Sequence, residues 1–147
     1  MESAKKKIRI LVVEDNPHIR NLLHYLLRDT FDLELVDCVD DALLTAAQQH
    51  FDLFLLDINL GEQRTGIDLL KLLRQMPAYT ATPAVACTVY TRRGDKERFL
   101  AAGFDSHVGK PFTDEALRDT LQAVLAKARP PQPTEMVVNR RQRSGLY

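Results

Sequence analysis

Five side chains of this 147-residue chain form a set that could do chemistry together: the adjacent acids Glu14 and Asp15, then Asp57, Thr88 and Lys110. Each stands at or near the end of an apolar run. IRILVV (8–13) leads into Glu14, FDLFLLD (51–57) ends on Asp57, TPAVACTV (82–89) carries Thr88, and DSHVG (105–109) leads into Lys110. Three carboxylates brought together repel one another and gain proton affinity. A hard divalent cation with oxygen ligands relieves that repulsion, and so does a nearby ammonium. Mg²⁺ suits carboxylates and keeps several waters, and Lys110 supplies a fixed positive charge. A metal beside a carboxylate nucleophile, with a lysine and a hydroxyl in reach, is the equipment of phosphoryl transfer. Taken alone, Asp57 also reads as a loop-starting or capping residue, because loops after strands are rich in Asp.

The elements that must bring these residues together can be read in order. The run 51–57 is apolar except for Asp52 until it reaches Asp57, the pattern of a strand buried on both faces of a parallel sheet. Strands are predicted at 8–13, about 32–38, 51–57, 82–89 and 105–109. Asn16-Pro17 opens the first helix as N-cap and first helical residue, and its stripe is Ile19, Leu22, Leu23, Leu26 and Leu27. Further helices are predicted at 40–50, at 66–76 (Ile67, Leu70, Leu73, Met76), at 92–102 with Gly103 at its end, and at 113–128. In the last, Thr113 is the N-cap and Leu117, Leu121, Val124 and Leu125 form the stripe. Five strands alternating with five helices imply an α/β fold: a doubly wound, five-stranded parallel sheet in a three-layer (βα)5 sandwich. In such a sheet, ligands bind outside the carboxyl ends of the strands, which is where the five side chains lie.

Composition narrows the function classes. The net charge is zero, but residues 1–7 carry +2 and residues 129–147 carry +3, so 8–128 holds −5. An acidic globule with basic ends does not match the footprint of a DNA-binding domain. No apolar run approaches the ~18 residues of a membrane span, and no leader segment is evident, so a cytoplasmic location is expected. Cys38 and Cys87 lie in strand-like apolar contexts and read as free thiols. The expected organisation is a basic extension (1–6), a single domain (7–128) and a flexible, Pro-rich basic tail (129–147).

The motifs ILVVEDNPHIR (10–20), LFLLDINL (53–60), AVACTVY (84–90) and HVGKPF (107–112) resemble those of the CheY-like receiver domain of two-component response regulators. The resemblance covers about residues 7–128 and implies a phosphorylation-controlled signalling switch, here a stand-alone one. It implies that Asp57 accepts a phosphoryl group from a phosphohistidine. Asp15, Asp57 and the backbone carbonyl of Asn59 would ligate Mg²⁺, with Mn²⁺ as a possible substitute, and Glu14 would reach the metal through water. Thr88 and Lys110 would contact the phosphoryl group, and the Lys110–Pro111 bond is expected to be cis. The implied partners are a sensor histidine kinase or histidine phosphotransfer protein, and a downstream protein docking on the fourth helix, fifth strand and fifth helix. A monomer or weak homodimer is expected, with no enzymatic activity beyond self-phosphorylation and self-dephosphorylation.

Three positions depart from the family pattern. Gly61 and Gly66 stand four and nine residues after Asp57, which makes the loop 60–65 one residue longer. His107 occupies a place usually held by Tyr or Phe, so a titratable ring would take the switch role there. Val89 is bulkier than the usual Ala or Gly, and with Asn59 and Tyr90 it is expected to set access to Asp57 and phosphate lifetime. His18 and His24 read as surface residues of the first helix, and His50 as a helix-end residue beside the dipole. Alternative readings are a phosphohydrolase with an aspartyl nucleophile, which would need a second acid where Asn59 stands, and a phosphate-independent scaffold of the same fold, against which the complete acid–Thr–Lys set argues. A flavin-binding module is disfavoured because glycines are absent between residues 13 and 20.

Overall fold

The computed structural model describes residues 6–89 and 92–128 of the chain. The expectations for Tyr90, the first five residues and the tail 129–147 therefore lie outside the described residues. The strands are β1 (Arg9–Val13), β2 (Asp32–Val36), β3 (Leu53–Asp57), β4 (Ala84–Thr88) and β5 (Ser106–Gly109). The helices are α1 (Pro17–Leu27), α2 (Val39–Gln48), α3 (Gly66–Arg74), α4 (Asp95–Ala101) and α5 (Asp114–Ala128), with one 3-10 turn at Pro77–Tyr79. All strands pair in parallel, in the order β2-β1-β3-β4-β5. The expected doubly wound (βα)5 sandwich is thus observed.

Alternation along each strand splits the core into two layers. Leu11, Val13, Phe54, Leu56, Ala84 and Ala86 face α2, α3 and α4. Ile10, Val12, Leu53, Leu55, Val85 and Cys87 face α1 and α5. Every residue of β3 and β4 is buried, which explains why they read as nearly unbroken apolar runs. Full burial of each large side chain contributes roughly 1.5–3 kcal/mol. The sheet is therefore a stiff platform for whatever its carboxyl edge carries.

The punctuation also matches the physical reading. The Asn16 side chain accepts from His18 N and Ile19 N, with Pro17 at the first helical position. Thr113 Oγ1 accepts from Ala116 N at 2.9 Å. Gly103 takes φ +109° just past the end of α4, as a C′ glycine does. Some details differ. Leu22, placed in the α1 stripe, is 41% exposed, because the buried arc of α1 is narrower and centres on Leu23 and Leu27. Leu69 joins the core although the α3 stripe omitted it. His50 lies beyond the end of α2, where its ring stacks on Tyr79 and its Nε2 stands 3.6 Å from Asp52. Its ring thus packs against Tyr79 beside Asp52, two residues past the last residue of α2. Among the described residues no helix is long and apolar enough to cross a membrane.

Candidate functional site

The order of the sheet reverses at β1, which has β2 on one side and β3 on the other. Open α/β sheets form their ligand crevice at such a switch point. The β1–β3 register pairs Val13 with Leu56, so Glu14 and Asp57 leave the sheet side by side. Glu14 N donates to Val36 O at 3.0 Å, which holds the end of β1 against β2. On the other side, Thr88 pairs with Gly109 across β4 and β5, and Lys110 N donates to Thr88 O at 2.9 Å. These backbone bonds fix the sequence positions of the five side chains into one cluster.

The cluster is acidic, buried and bridged by one cation. Glu14 is 1% exposed and Asp57 5% exposed, while Thr88 is fully buried. Carboxylate oxygens of Glu14, Asp15 and Asp57 lie within 4.8 Å of one another. Lys110 Nζ stands 2.7 Å from Glu14 Oε1 and 3.1 Å from Asp57 Oδ2. Burial raises the Asp57 pKa to about 7, and the Glu14 charge adds to the rise, while Lys110 opposes it. Burial pulls the Lys110 pKa down, but Glu14 and Asp57 outweigh it, and the net shift is upward. Lys110 therefore stays charged and remains the fixed counter-ion. The Lys110–Pro111 peptide is cis, as the resemblance implies.

The donor set fits a hard cation. Asp15 is exposed at the rim, whereas Glu14 lies inside. Glu14 Oε2 accepts from Asn16 N at 3.1 Å. Glu14 Oε1 is buried and takes no aligned hydrogen bond, although Lys110 is close. Three acids that share a single ammonium, Lys110, keep negative charge that a divalent ion or its water shell would offset. A second acidic group, Asp37, Cys38 and Asp41, lies at the start of α2.

The loop after β3 was legible only in part. Asn59 is exposed, and its Oδ1 accepts from Gly61 N at 3.1 Å. Gly61 has φ +71°, and a Cβ there would stand 2.9 Å from Asp15 Oδ2. Gly66 is needed for a different reason: a Cβ would collide with the Asp57 carbonyl oxygen and lie 3.0 Å from its carbon. Both glycines let backbone approach the acids closely. Thr65 and Asp68 form a reciprocal capping box at the start of α3, a Thr-x-x-Asp signal present in the sequence that the apolar stripe does not reveal. Arg20 of α1 was also missed; its Nη1 donates to Glu14 O at 2.8 Å and pins the acidic turn.

The remaining site candidates fall as follows. Val89 is 61% exposed, directly after Thr88. His107 is half-buried in β5, with its ring 5.9 Å from that of Phe99 on α4. Cys87 pairs with Asp57 across β3 and β4 and faces the α1–α5 layer. Burial pushes its thiol to about 12, so it is a packing residue. His18 and His24 lie exposed on α1.

Comparison with known proteins agrees with this geometry. The family model for the response regulator receiver domain matches residues 10–122. The chain is 32% identical over 145 residues to the signal transduction histidine-protein kinase BarA of Escherichia coli, covering 94% of this chain but only 16% of BarA. It is 30% identical to the transcriptional regulatory protein ResD of Bacillus subtilis, covering 82% of this chain and 49% of ResD. The polar-differentiation response regulator DivK of Brucella ovis is 28% identical, with 81% and 97% covered. Among solved structures, Vibrio cholerae chemotaxis protein CheY4 superposes with a TM-score of 0.76 at 31% identity, covering 81% of this chain and 99% of that one. The receiver domain of the sensor histidine kinase PA1611 of Pseudomonas aeruginosa, solved with magnesium coordinated in its active-site cleft, gives 0.73 at 29%, covering 82% and 98%. By the fold, the acidic cluster and these matches, the chain belongs to the family of response regulator receiver domains.

Proposed function

We propose that Asp57 is the phosphoacceptor of this receiver domain and that its phosphorylation drives a two-component or phosphorelay switch. The observation that carries the reading is the position of Lys110 Nζ, 2.7 Å from Glu14 and 3.1 Å from Asp57, where it can also meet a phosphoryl oxygen. An oxygen of ionised Asp57 attacks the phosphorus of a phosphohistidine. The new bond is P–O and the broken bond is P–N; the donor's imidazole, already protonated on its other ring nitrogen, leaves as neutral imidazole. Lys110 pairs with the negative oxygens throughout, and the Thr88 hydroxyl donates to the phosphoryl group once it is in place. Asp15, Asp57 and the Asn59 carbonyl would hold Mg²⁺, with Glu14 behind them through water. When bound, that ion neutralises carboxylate and phosphoryl charge, and Mn²⁺, with similar ligand preferences, would substitute.

The donor would be a sensor histidine kinase or a histidine phosphotransfer protein. Output would pass through α4, β5 and α5 to a protein partner, because Thr88 and His107 lie at the edge of that face. Phosphate would favour one of two arrangements of Thr88, Val89 and His107 through contacts it makes in only one of them. The hydrolase alternative needs a proton donor at residue 59. An Asn side chain, here turned onto Gly61 N, cannot supply one at ordinary pH.

The test is intact mass after incubation with a small phosphodonor and Mg²⁺. One phosphoryl adduct that requires the metal and disappears in Asp57→Asn supports the reading. An adduct that persists in Asp57→Asn overturns the assignment of the phosphoacceptor.

A further inference from the structure

The longer loop after β3 does more than connect. The N-cap residue of α2, Cys38, makes no side-chain cap. The first backbone donor of that helix, Val39 N, is taken instead by Glu62 Oε2 at 3.1 Å, from across the loop. The other oxygen, Glu62 Oε1, accepts from Arg64 Nη2 at 3.3 Å, and the same nitrogen reaches Asp40 Oδ1 at 3.0 Å. Arg64 thereby offsets Glu62 at a junction that also carries Asp37, Asp40 and Asp41. An acid at a helix N-terminus gains from the dipole as well as from the hydrogen bond.

The junction that holds Glu62 also holds the acidic site. Val36 O, three residues before Val39, accepts from Glu14 N. Gly61, the residue before Glu62, leaves no room for a side chain beside Asp15 and donates its N–H to the Asn59 side chain. A run of contacts results: Glu14 to the end of β2, on to the start of α2, and through Glu62 to Gly61, which lies close enough to Asp15 that a Cβ on it would stand 2.9 Å from Oδ2.

We propose that Glu62, braced by Arg64, is a positioning residue that sets the spacing of Asp15 and the Asn59 carbonyl, and through them the affinity of the site for a divalent cation. The inference rests on the reading of the site given above. Outer partners of metal ligands typically govern affinity by about 10–100-fold, and Glu62 acts one residue further out.

The experiment is Mg²⁺ titration of the full chain, followed by the amide NMR signals of Asn59, Gly61 and Gly66, with thermal unfolding measured in parallel. Glu62→Ala is expected to raise the Mg²⁺ Kd about tenfold and to shift the Gly61 amide before any metal is added. Glu62→Gln keeps an acceptor for Val39 N and is expected to restore most of the affinity. Arg64→Ala, a surface change that keeps the fold, is expected to fall between them. Thr113→Ala removes the α5 cap and lowers stability comparably, yet should leave the Kd unchanged. Glu62→Ala and Arg64→Ala with wild-type Mg²⁺ affinity would overturn the inference while leaving the site reading intact. A wild-type chain with no Asp57-dependent Mg²⁺ binding would overturn both.

Discussion

Replacing Asp57 with Asn is expected to stabilise the fold at neutral and alkaline pH while abolishing phosphorylation. Asp57 is 5% exposed, and its burial, with the Glu14 charge, raises its pKa from 3.8 to about 7. The unfolded chain restores the ordinary value of about 3.9. Between these limits the native state binds the proton that the unfolded state has released. A raised native pKa contributes stability that is complete below the unfolded value and lost as pH climbs through about 7. At about 1.36 kcal/mol per pH unit, the difference between 3.8 and about 7 corresponds to roughly 4 kcal/mol at pH 8. Asn recovers only part of this, because Lys110 loses the partner at 3.1 Å and keeps Glu14 at 2.7 Å. A net gain of about 2 kcal/mol follows, which raises Tm by about 4–8 °C for a chain of this size.

The assay is thermal unfolding by circular dichroism from pH 4 to 8, at low salt and with a chelator present. The gain of Asp57→Asn over the wild type should grow from near zero around pH 4 to a plateau above about pH 7. Mg²⁺ should then narrow it, by stabilising the wild type alone. A gain that is absent at pH 8, or equal at pH 4 and pH 8, would refute the argument that Asp57 is a crowded, desolvated acid.

Lys110→Met leaves Glu14 and Asp57 buried without their cation, and should cost about 3 kcal/mol in urea unfolding at pH 7.5. The loss should soften near pH 5, where Asp57 is protonated. Gly66→Ala forces a methyl group onto the Asp57 carbonyl, and should cost about 2 kcal/mol or more while weakening Mg²⁺ binding in the same titration. Val89→Ala should shorten the lifetime of the phosphorylated form severalfold, read by loss of the adduct over time, and an unchanged lifetime would remove Val89 from the access path. The His107 ring signals should shift when beryllofluoride is added with Mg²⁺, and rings that stay put would leave His107 out of the switch.

How far the sequence carried the argument depends on the range of each interaction. β3 was legible because both of its faces are buried, so LFLLD has no polar face to blur the pattern. Asn16, Thr113 and Gly103 were legible because capping is decided within four residues. The juxtaposition of Glu14, Asp57 and Lys110 followed from topology, since parallel strands bring their carboxyl ends to one edge. What escaped depends on contacts between loops. Nothing near Glu62 in sequence announces that it caps a helix beginning 23 residues earlier, and nothing around Arg20 announces the carbonyl of Glu14. Gly66 carried a positional hint but no sign of the Asp57 carbonyl against it. Leu22 was misplaced because a helical stripe gives the direction of the buried face but not its width.

Phosphoryl transfer to Asp57 is the central claim. Its most direct test is to mix the chain with a histidine phosphotransfer domain labelled on its phosphohistidine, with Mg²⁺, and to follow where the label goes. The label is expected to move to the wild-type chain and to map to Asp57, and Asp57→Asn is expected to receive none. Equal labelling of the wild type and Asp57→Asn, or a label mapped to any other residue, would contradict it.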